Sequence, residues 1–550
     1  MDNYERWLEQ ATEDPDLIEE LRNMNDEQKN DAFYRDLAFG TGGLRGVIGA
    51  GTNRMNVYTV GKASQGLAEA AEEGPIAISY DSRIKSRLFA EKAASVFAGN
   101  GRHVYMWPEL MPTPCLSFAV RYLHCAAGVM VTASHNPSEY NGYKVYGSDG
   151  CQITDAEAAR ILAKIEATDL FHGVRTMNFE TGVQNGIIEY IGDDVYDAFI
   201  AEVRAQSLAE DEEMDKDAAI IYTPLNGTGL KPVLRVLKEA GYTNVSVVAE
   251  QEQPDGNFPT CPYPNPEIRE AMELGLKTAK EKNADLLIAT DPDCDRVGIA
   301  VGDDQGGYRL LTGNETGVLL LDYICARRIE RGTMPERPVF VKTIVTSDLA
   351  EQIAASYGVE TTNVLTGFKY IGETIGRLEQ AGEANRYICG FEESYGYLTG
   401  TYVRDKDAVD GTFMICEMYA YYRKRGISLT QKLAEIYAKY GYCLNTLHSY
   451  TFGGQAGFRH MQSIMARLRG GIGSVCGVSV TEMLDYALGI DGLPKSDVLK
   501  FRLENGSSFV VRPSGTEPKL KVYAMIRMPG RAQAAAFEQL AVKELEQIIK

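Results

Sequence analysis

The chain has 550 residues, 44% of them hydrophobic, which is enough apolar content for three or four domains of about 100–200 residues each. Lys and Arg number 56 against 76 Asp and Glu, and a net charge of −20 argues against nucleic acid or an anionic membrane as the main partner. No apolar run approaches a membrane span, the acidic start Met1-Asp2-Asn3-Tyr4-Glu5 has no signal-peptide pattern, and the ten cysteines show neither CxxC pairing nor metal spacing. Reduced thiols and a cytoplasmic location are the expectation.

Residues 1–39 read as acidic helices whose apolar stripe (Trp7, Leu8, Leu17, Ile18, Leu21) should pack on the first domain as an arm. The segment 39–46 is rich in glycine, yet Arg45 stands where a dinucleotide fingerprint needs its third glycine. From Gly40 onward, strands over 76–79, 104–107 and 128–131 alternate with helices, one of them opened by a capping box at Thr154 and Glu157. The run 128–131 reads as a buried strand, and Pro137 bars a helix from following. Ser134 should therefore sit at a strand's carboxyl end, where open α/β sheets place ligands. His135 and Lys144 are candidate proton carriers for its hydroxyl. An ordinary turn with a solvated Ser-His pair is the alternative.

A second unit has strands over 219–222, 245–249 and 285–289, separated by helices over 231–240 and 267–280. Directly after it stand Asp291, Asp293 and Asp295. In an extended loop their side chains would converge on one face, and three such carboxylates repel unless a divalent cation neutralises them. All-oxygen ligation favours Mg²⁺ over zinc. An EF-hand is excluded, because Arg296 and Gly302 occupy the positions that need Gly and Glu; a solvated acidic turn is the alternative. A third unit has strands over 339–342 and 387–390 with a helix from Asp348. It ends in 390–396, where Glu392 and Ser394 would share one face of an extended chain, an acceptor and a hydroxyl suited to adjacent sugar hydroxyls. A plain strand-end turn fits that pattern as well. The last part has strands over 498–503, 508–511 and 519–526 in succession and a closing helix from about Ala532, the pattern of an α+β domain. Between two of these strands, Arg512, Ser514, Gly515 and Thr516 could cradle a phosphate, or form a hairpin loop.

In 132–137 with Asn141, Gly142 and Lys144, and in three further segments in the same order between Phe39 and Tyr523, the chain resembles the α-D-phosphohexomutase family, nearest its phosphoglucomutase and phosphopentomutase branch. The resemblance implies an α/β fold of four domains around a central cleft: three doubly wound α/β domains and a C-terminal α+β domain. The expected divisions are the helical arm 1–39, a phosphoserine domain 40–195, a metal-binding domain 196–312, a sugar-binding domain 313–440 and a phosphate-binding domain 441–550. It further implies phosphorylation of Ser134, catalytic roles for Ser134, His135, Lys144 and Arg45, and Mg²⁺ on Ser134, Asp291, Asp293 and Asp295. Substrate contacts would come from Arg296, Lys342, Lys369, Glu392 and Ser394, and the distal phosphate would be gripped by Arg512, Ser514, Gly515 and Thr516. Phe391 interrupts the family's Gly-Glu-x-Ser core, and Phe368 stands where some members have His.

The reaction so implied moves phosphate between glucose 1-phosphate and glucose 6-phosphate through a phosphoserine and a bisphosphorylated sugar, with glucose 1,6-bisphosphate as primer; pentose and mannose phosphates are alternatives. Lys144 would need a pKa lowered by its basic neighbours to act as a base. A phosphatase using Asp291 as nucleophile would leave Ser134 idle, and Cys294 stands where its signature needs Thr or Val. The partner is a small sugar phosphate, and the expected state is a monomer or weak dimer.

Overall fold

Three short helices, Asn3–Gln10, Pro15–Asn23 and Asp26–Phe33, precede the first sheet. Asp14 caps the second, with Pro15 at the first helical position where no backbone donor is needed, and Asn25 and Gln28 form a capping box on the third. Trp7, Leu17 and Leu21 are buried, and the Trp7 ring meets Tyr58 at 5.4 Å and Phe171 at 5.5 Å, both edge-on. The computed structural model describes residues 3–40, 42–303, 306–514 and 519–549.

The first sheet runs Gly43–Val47, Tyr140–Gly147, Ala127–Val131, Ile76–Tyr80, Val104–Met106, Ile188–Tyr190. Its parallel centre holds the three expected strands. Gly43–Val47 and Tyr140–Gly147 are additions, antiparallel to each other, and the latter is antiparallel to Ala127–Val131. Their glycines and polar residues hide any alternation, but Gly142 shows why they are there. A Cβ at that position would lie 2.4 Å from the Thr132 carbonyl oxygen, so only glycine lets the strand approach so closely.

The second sheet runs Tyr308–Leu311, Val297–Gly302, Leu286–Thr290, Ile220–Thr223, Val245–Val247, and the third Glu360–Val364, Val339–Thr343, Tyr387–Glu392, Gly396–Leu398. The division expected at 195/196 falls inside the helix Asp193–Arg204. Its Val195, Phe199, Ile200 and Val203 enter a core shared with Val233 and Val236 of Leu230–Glu239 and with Val409 and Phe413 of Ala408–Lys424. Apolar residues on several faces of these helices join neighbouring domains into one core, which a linear reading does not reveal.

The fourth sheet runs Tyr442–Thr451, Lys519–Met528, Ser508–Pro513, Leu499–Leu503, Val478–Asp485, Ser474–Val475, and its neighbours are antiparallel. Phe509, Val511, Val522 and Ala524 pack under the helices Gly454–Arg469 and Arg531–Ile549. Val510, Tyr523 and Met525, pointing the other way, pack on Ile344, Val345 and Leu365 of the third domain. No described helix is long and apolar enough to cross a membrane. All ten cysteines are unpaired, and all but Cys476 are buried.

Candidate functional site

Ser134 stands just past the strand Ala127–Val131 with φ 54°, a left-handed conformation uncommon for a residue other than glycine. Its backbone N–H donates to Thr132 Oγ1 at 2.8 Å, and that hydroxyl donates to Asp81 at 2.6 Å. The Ser134 side chain is nearly fully buried. Its Oγ donates to Asp291 Oδ2 at 3.0 Å and lies 3.2 Å from His135 Nδ1. The first domain's hydroxyl thus meets the second domain's acidic cluster directly.

The three aspartates converge, though not by extended-chain alternation as expected. Cys294 adopts φ 52° and its N–H donates to the Asp291 carbonyl at 2.9 Å, closing a turn. The N–H groups of Asp295 and Arg296 then donate to Asp291 Oδ1 at 3.1 and 3.0 Å. Backbone donors wrapped around one carboxylate replace the alternation. Ligand oxygens of Asp291, Asp293 and Asp295 lie within 4.8 Å of one another, all from buried residues. Burial and the charges of Asp295 and Asp293 push Asp291 well above the usual carboxylate range. Asp293 is held below that range: burial would raise it, but Lys144 and Thr113 outweigh burial, each donating to its Oδ2 at 2.8 Å. Among the described residues, Asp293 Oδ1 and Asp295 Oδ1 are buried without a hydrogen-bond donor. Crowded hard oxygen donors, two of them orphaned, fit a divalent cation such as Mg²⁺.

Lys144, on the strand Tyr140–Gly147, places Nζ 2.8 Å from Asp293 and 3.6 Å from Asp295. The expected lowering of its pKa is corrected by this pairing: burial favours the neutral amine, but the two carboxylates prevail and hold Lys144 above the ordinary lysine range. His135 moves the other way, its pKa pushed well below normal by burial and by Arg296 and Arg45, so its ring is neutral. Arg45 projects from Gly43–Val47, with Nη1 3.4 Å from Asn136 Oδ1 of the serine loop. Arg296 is paired with Glu267 and lies 3.8 Å from Asp295.

Two residues here were not anticipated. Lys406 of the third domain sits 3.1 Å from Asp295 and 3.1 Å from Asp405, and Thr113 reaches the cluster from the first domain. Lys406 had a signal in the run Arg404-Asp405-Lys406-Asp407, but a mixed charge run ordinarily reads as solvated surface.

Glu392 ends the strand Tyr387–Glu392 and accepts the Gly367 N–H at 3.0 Å. Burial pushes its carboxyl up to about 7, against the pull of Lys406. Ser394 does not continue the strand: it lies in the turn before Gly396–Leu398, with Tyr395 at φ 66°, so the same-face reading of Glu392 and Ser394 is corrected. Phe391 faces the core against Phe340 at 5.4 Å and stays in register with Tyr397 of Gly396–Leu398. Lys342 is also corrected as a substrate contact. It is fully buried, 3.1 Å from Glu351 and 3.4 Å from Asp348, and donates to the Thr346 carbonyl at 3.0 Å. Lys369 pairs with Asp155 of the first domain at 2.8 Å, and Phe368 is buried with Lys406 over its ring at 5.6 Å. Arg512 lies on Ser508–Pro513, and the Ser514 N–H donates to the Lys519 carbonyl at 2.7 Å; Gly515 and Thr516 lie outside the described residues. Lys521 stands directly across the ladder from Arg512. Like charges in that register repel, and an anion between them would relieve the repulsion.

Residues 36–171, 197–306, 312–440 and 469–545 match the family profiles described as phosphoglucomutase/phosphomannomutase alpha/beta/alpha domains I, II and III and C-terminal domain. The phosphoglucomutase of Staphylococcus saprophyticus is 36% identical over 535 residues, 94% of this chain and 95% of its own length. That of Staphylococcus aureus is 35% identical over 550 residues, 96% of either chain. Among solved structures, the open form of the exocytosis-sensitive phosphoprotein pp63/parafusin of Paramecium shares the fold with a TM-score of 0.69 at 16% identity, over 94% of this chain and 95% of that one.

Proposed function

The chain belongs to the phosphoglucomutase/phosphomannomutase family, a phosphosugar mutase family, and on that premise we propose that it interconverts glucose 1-phosphate and glucose 6-phosphate. The observation that carries this reading is the Ser134 hydroxyl 3.0 Å from Asp291, where a first-domain nucleophile meets a second-domain acidic cluster. Phosphorylated Ser134 gives its phosphoryl group to the free sugar hydroxyl; the bisphosphate reorients and returns its other phosphate to Ser134. Glucose 1,6-bisphosphate serves as primer by charging Ser134 at the outset.

Asp291, Asp293, Asp295 and the Ser134 phosphate would hold Mg²⁺, which when bound neutralises charge on the transferring group. Arg45 and Arg296 donate to the phosphoryl oxygens. Lys144, protonated at rest on Asp293, would give its proton to the serine oxygen as the phosphoryl group leaves and, once neutral, take one from the sugar hydroxyl, with neutral His135 as a second acceptor. Glu392 at the strand end and Ser394 in the turn after it would contact the sugar from separate backbone positions, and Arg512, Ser514 and Lys521 would grip the phosphate that is not reacting. The ten unpaired cysteines fit a reducing cytoplasm.

Ser134→Ala tests the scheme. Labelled phosphate from the bisphosphate should no longer be retained and turnover should fall by at least about a thousandfold; a variant with full mutase rate removes Ser134 from the chemistry. Comparing kcat/KM for glucose, mannose and ribose 1-phosphates, each primed with its bisphosphate, tests the substrate assignment, and a higher value for mannose or ribose phosphate overturns it.

A further inference from the structure

Asp81 and Arg83 have no place in the scheme above, yet both are buried beneath the Ser134 loop. Arg83 Nη1 donates to the Pro137 carbonyl at 2.8 Å and the Tyr140 carbonyl at 3.1 Å; Nη2 donates to the Ser134 carbonyl at 2.5 Å and to that of Asn136. Four carbonyls of one loop thus converge on one cation. Asp81 lies 3.4 Å from Arg83 Nε and accepts the Thr132 and Ser86 hydroxyls at 2.6 and 2.7 Å.

Both sides of Ser134 therefore lead to this pair, the N–H through Thr132 to Asp81 and the carbonyl directly to Arg83. Left-handed backbone costs a non-glycine residue free energy, and these bonds oppose its relaxation. The second domain holds the pair from outside. The Phe258 ring lies 5.0 Å from the Arg83 guanidinium, and Gly256 forms a bridge with Arg83 so close that a Cβ on Gly256 would come 2.5 Å from the Ile84 nitrogen. Arg83 is thus bonded to the loop that carries the hydroxyl and packed on the domain that carries the aspartates.

We infer that Arg83 is a positioning residue for phosphoryl transfer: it fixes the direction of the Ser134 hydroxyl and its distance from Asp291 across the domain boundary. The inference rests on the mutase reading. In an in-line displacement, small errors of direction slow transfer without weakening grips on the substrate made elsewhere.

The test compares full-length wild type with Arg83→Lys and Arg83→Met. It measures kcat and KM on primed glucose 1-phosphate, the rate of labelling of Ser134 from glucose 1,6-bisphosphate, and the folded fraction by melting. Arg83→Lys keeps the charge with fewer directed donors; kcat and labelling rate per folded molecule should fall about tenfold or more, with KM within about threefold. Arg83→Met should fall about a further tenfold. A folded variant with kcat within about twofold of wild type overturns the assignment, as does a loss that merely follows the folded fraction. Wild type that never labels Ser134 sinks the mutase reading and this inference together, whereas labelled wild type beside an unaffected variant sinks this inference alone.

Discussion

At the scale of single residues, burial decides which side chains titrate where the protein works. Glu392 is pushed up to about 7, so its charge changes near neutrality. As a sugar contact it accepts hydroxyl protons best when ionised, and KM for the sugar phosphate should rise as pH falls from about 8 to about 6. Glu392→Gln should raise KM and flatten that dependence; a Gln variant with the wild-type slope would assign the titration to another group. Ser134 was legible in the sequence because an apolar run and Pro137 fix a strand end and the loop after it. The protonation state of Lys144 was not, since the carboxylate that controls it, Asp293, is 2.8 Å away in space but belongs to the next domain. Lys342 misled for the same reason: the resemblance put it at the substrate, but Glu351 and Asp348 of the following segment close over it.

At the scale of elements, the central parallel strands were readable because each is a short, mainly apolar run, whereas polar Glu360–Val364 was not, nor was Tyr140–Gly147, its spacing to neighbours being set by the absence of a side chain at Gly142. A similar contact makes a test in the helix Gly313–Glu330. A Cβ on Gly317 would meet the Phe391 ring at 2.3 Å, and that ring is locked between Phe340 and Tyr397. Gly317→Ala gains about 1 kcal/mol of helix propensity, but the clash should outweigh it. Melting temperature should fall and KM should rise as Glu392, next to Phe391, shifts; a stabilised variant with unchanged KM would show that the ring can move. The helix Ala408–Lys424 offers a second test. Buried Asp410 is pushed up to about 8 by burial and by Asp407 while accepting from Thr399. With its folded pKa raised above the unfolded value, its contribution to stability is complete below about pH 4 and is lost as pH rises toward about 8. Asp410→Asn keeps an acceptor for the Thr399 N–H and cannot ionise. Its melting temperature should therefore gain on wild type steadily across that window and level off above it, and parallel curves would exclude Asp410 from the alkaline loss.

At the scale of the molecule, unequal charge contacts tie the third domain to the first and to the fourth. Lys369–Asp155 joins the first and third domains at 2.8 Å, with the Asp155 side chain 61% exposed, so it contributes no more than about 1 kcal/mol. The third and fourth are joined by Lys500, 2.6 Å from Asp348, which also accepts the Ser508 hydroxyl at 2.7 Å and faces Lys342, itself paired with Glu351. Two cations and two anions balance in this nearly dry cluster beside the apolar contact of Val510 and Tyr523 with Ile344 and Val345. Removing Asp348 alone leaves one uncompensated buried positive charge, whereas removing Lys500 with it restores the balance. Asp348→Ala should therefore lower stability by about 3 kcal/mol, and Asp348→Leu with Lys500→Met should recover most of that loss. Asp155→Ala should cost less than about 1 kcal/mol. Urea unfolding of the three variants measures all of these changes. Equal losses in the single and double variants at the Asp348 site would mean that water enters the cluster freely. The fourth domain would then be held against the third by the apolar contact alone.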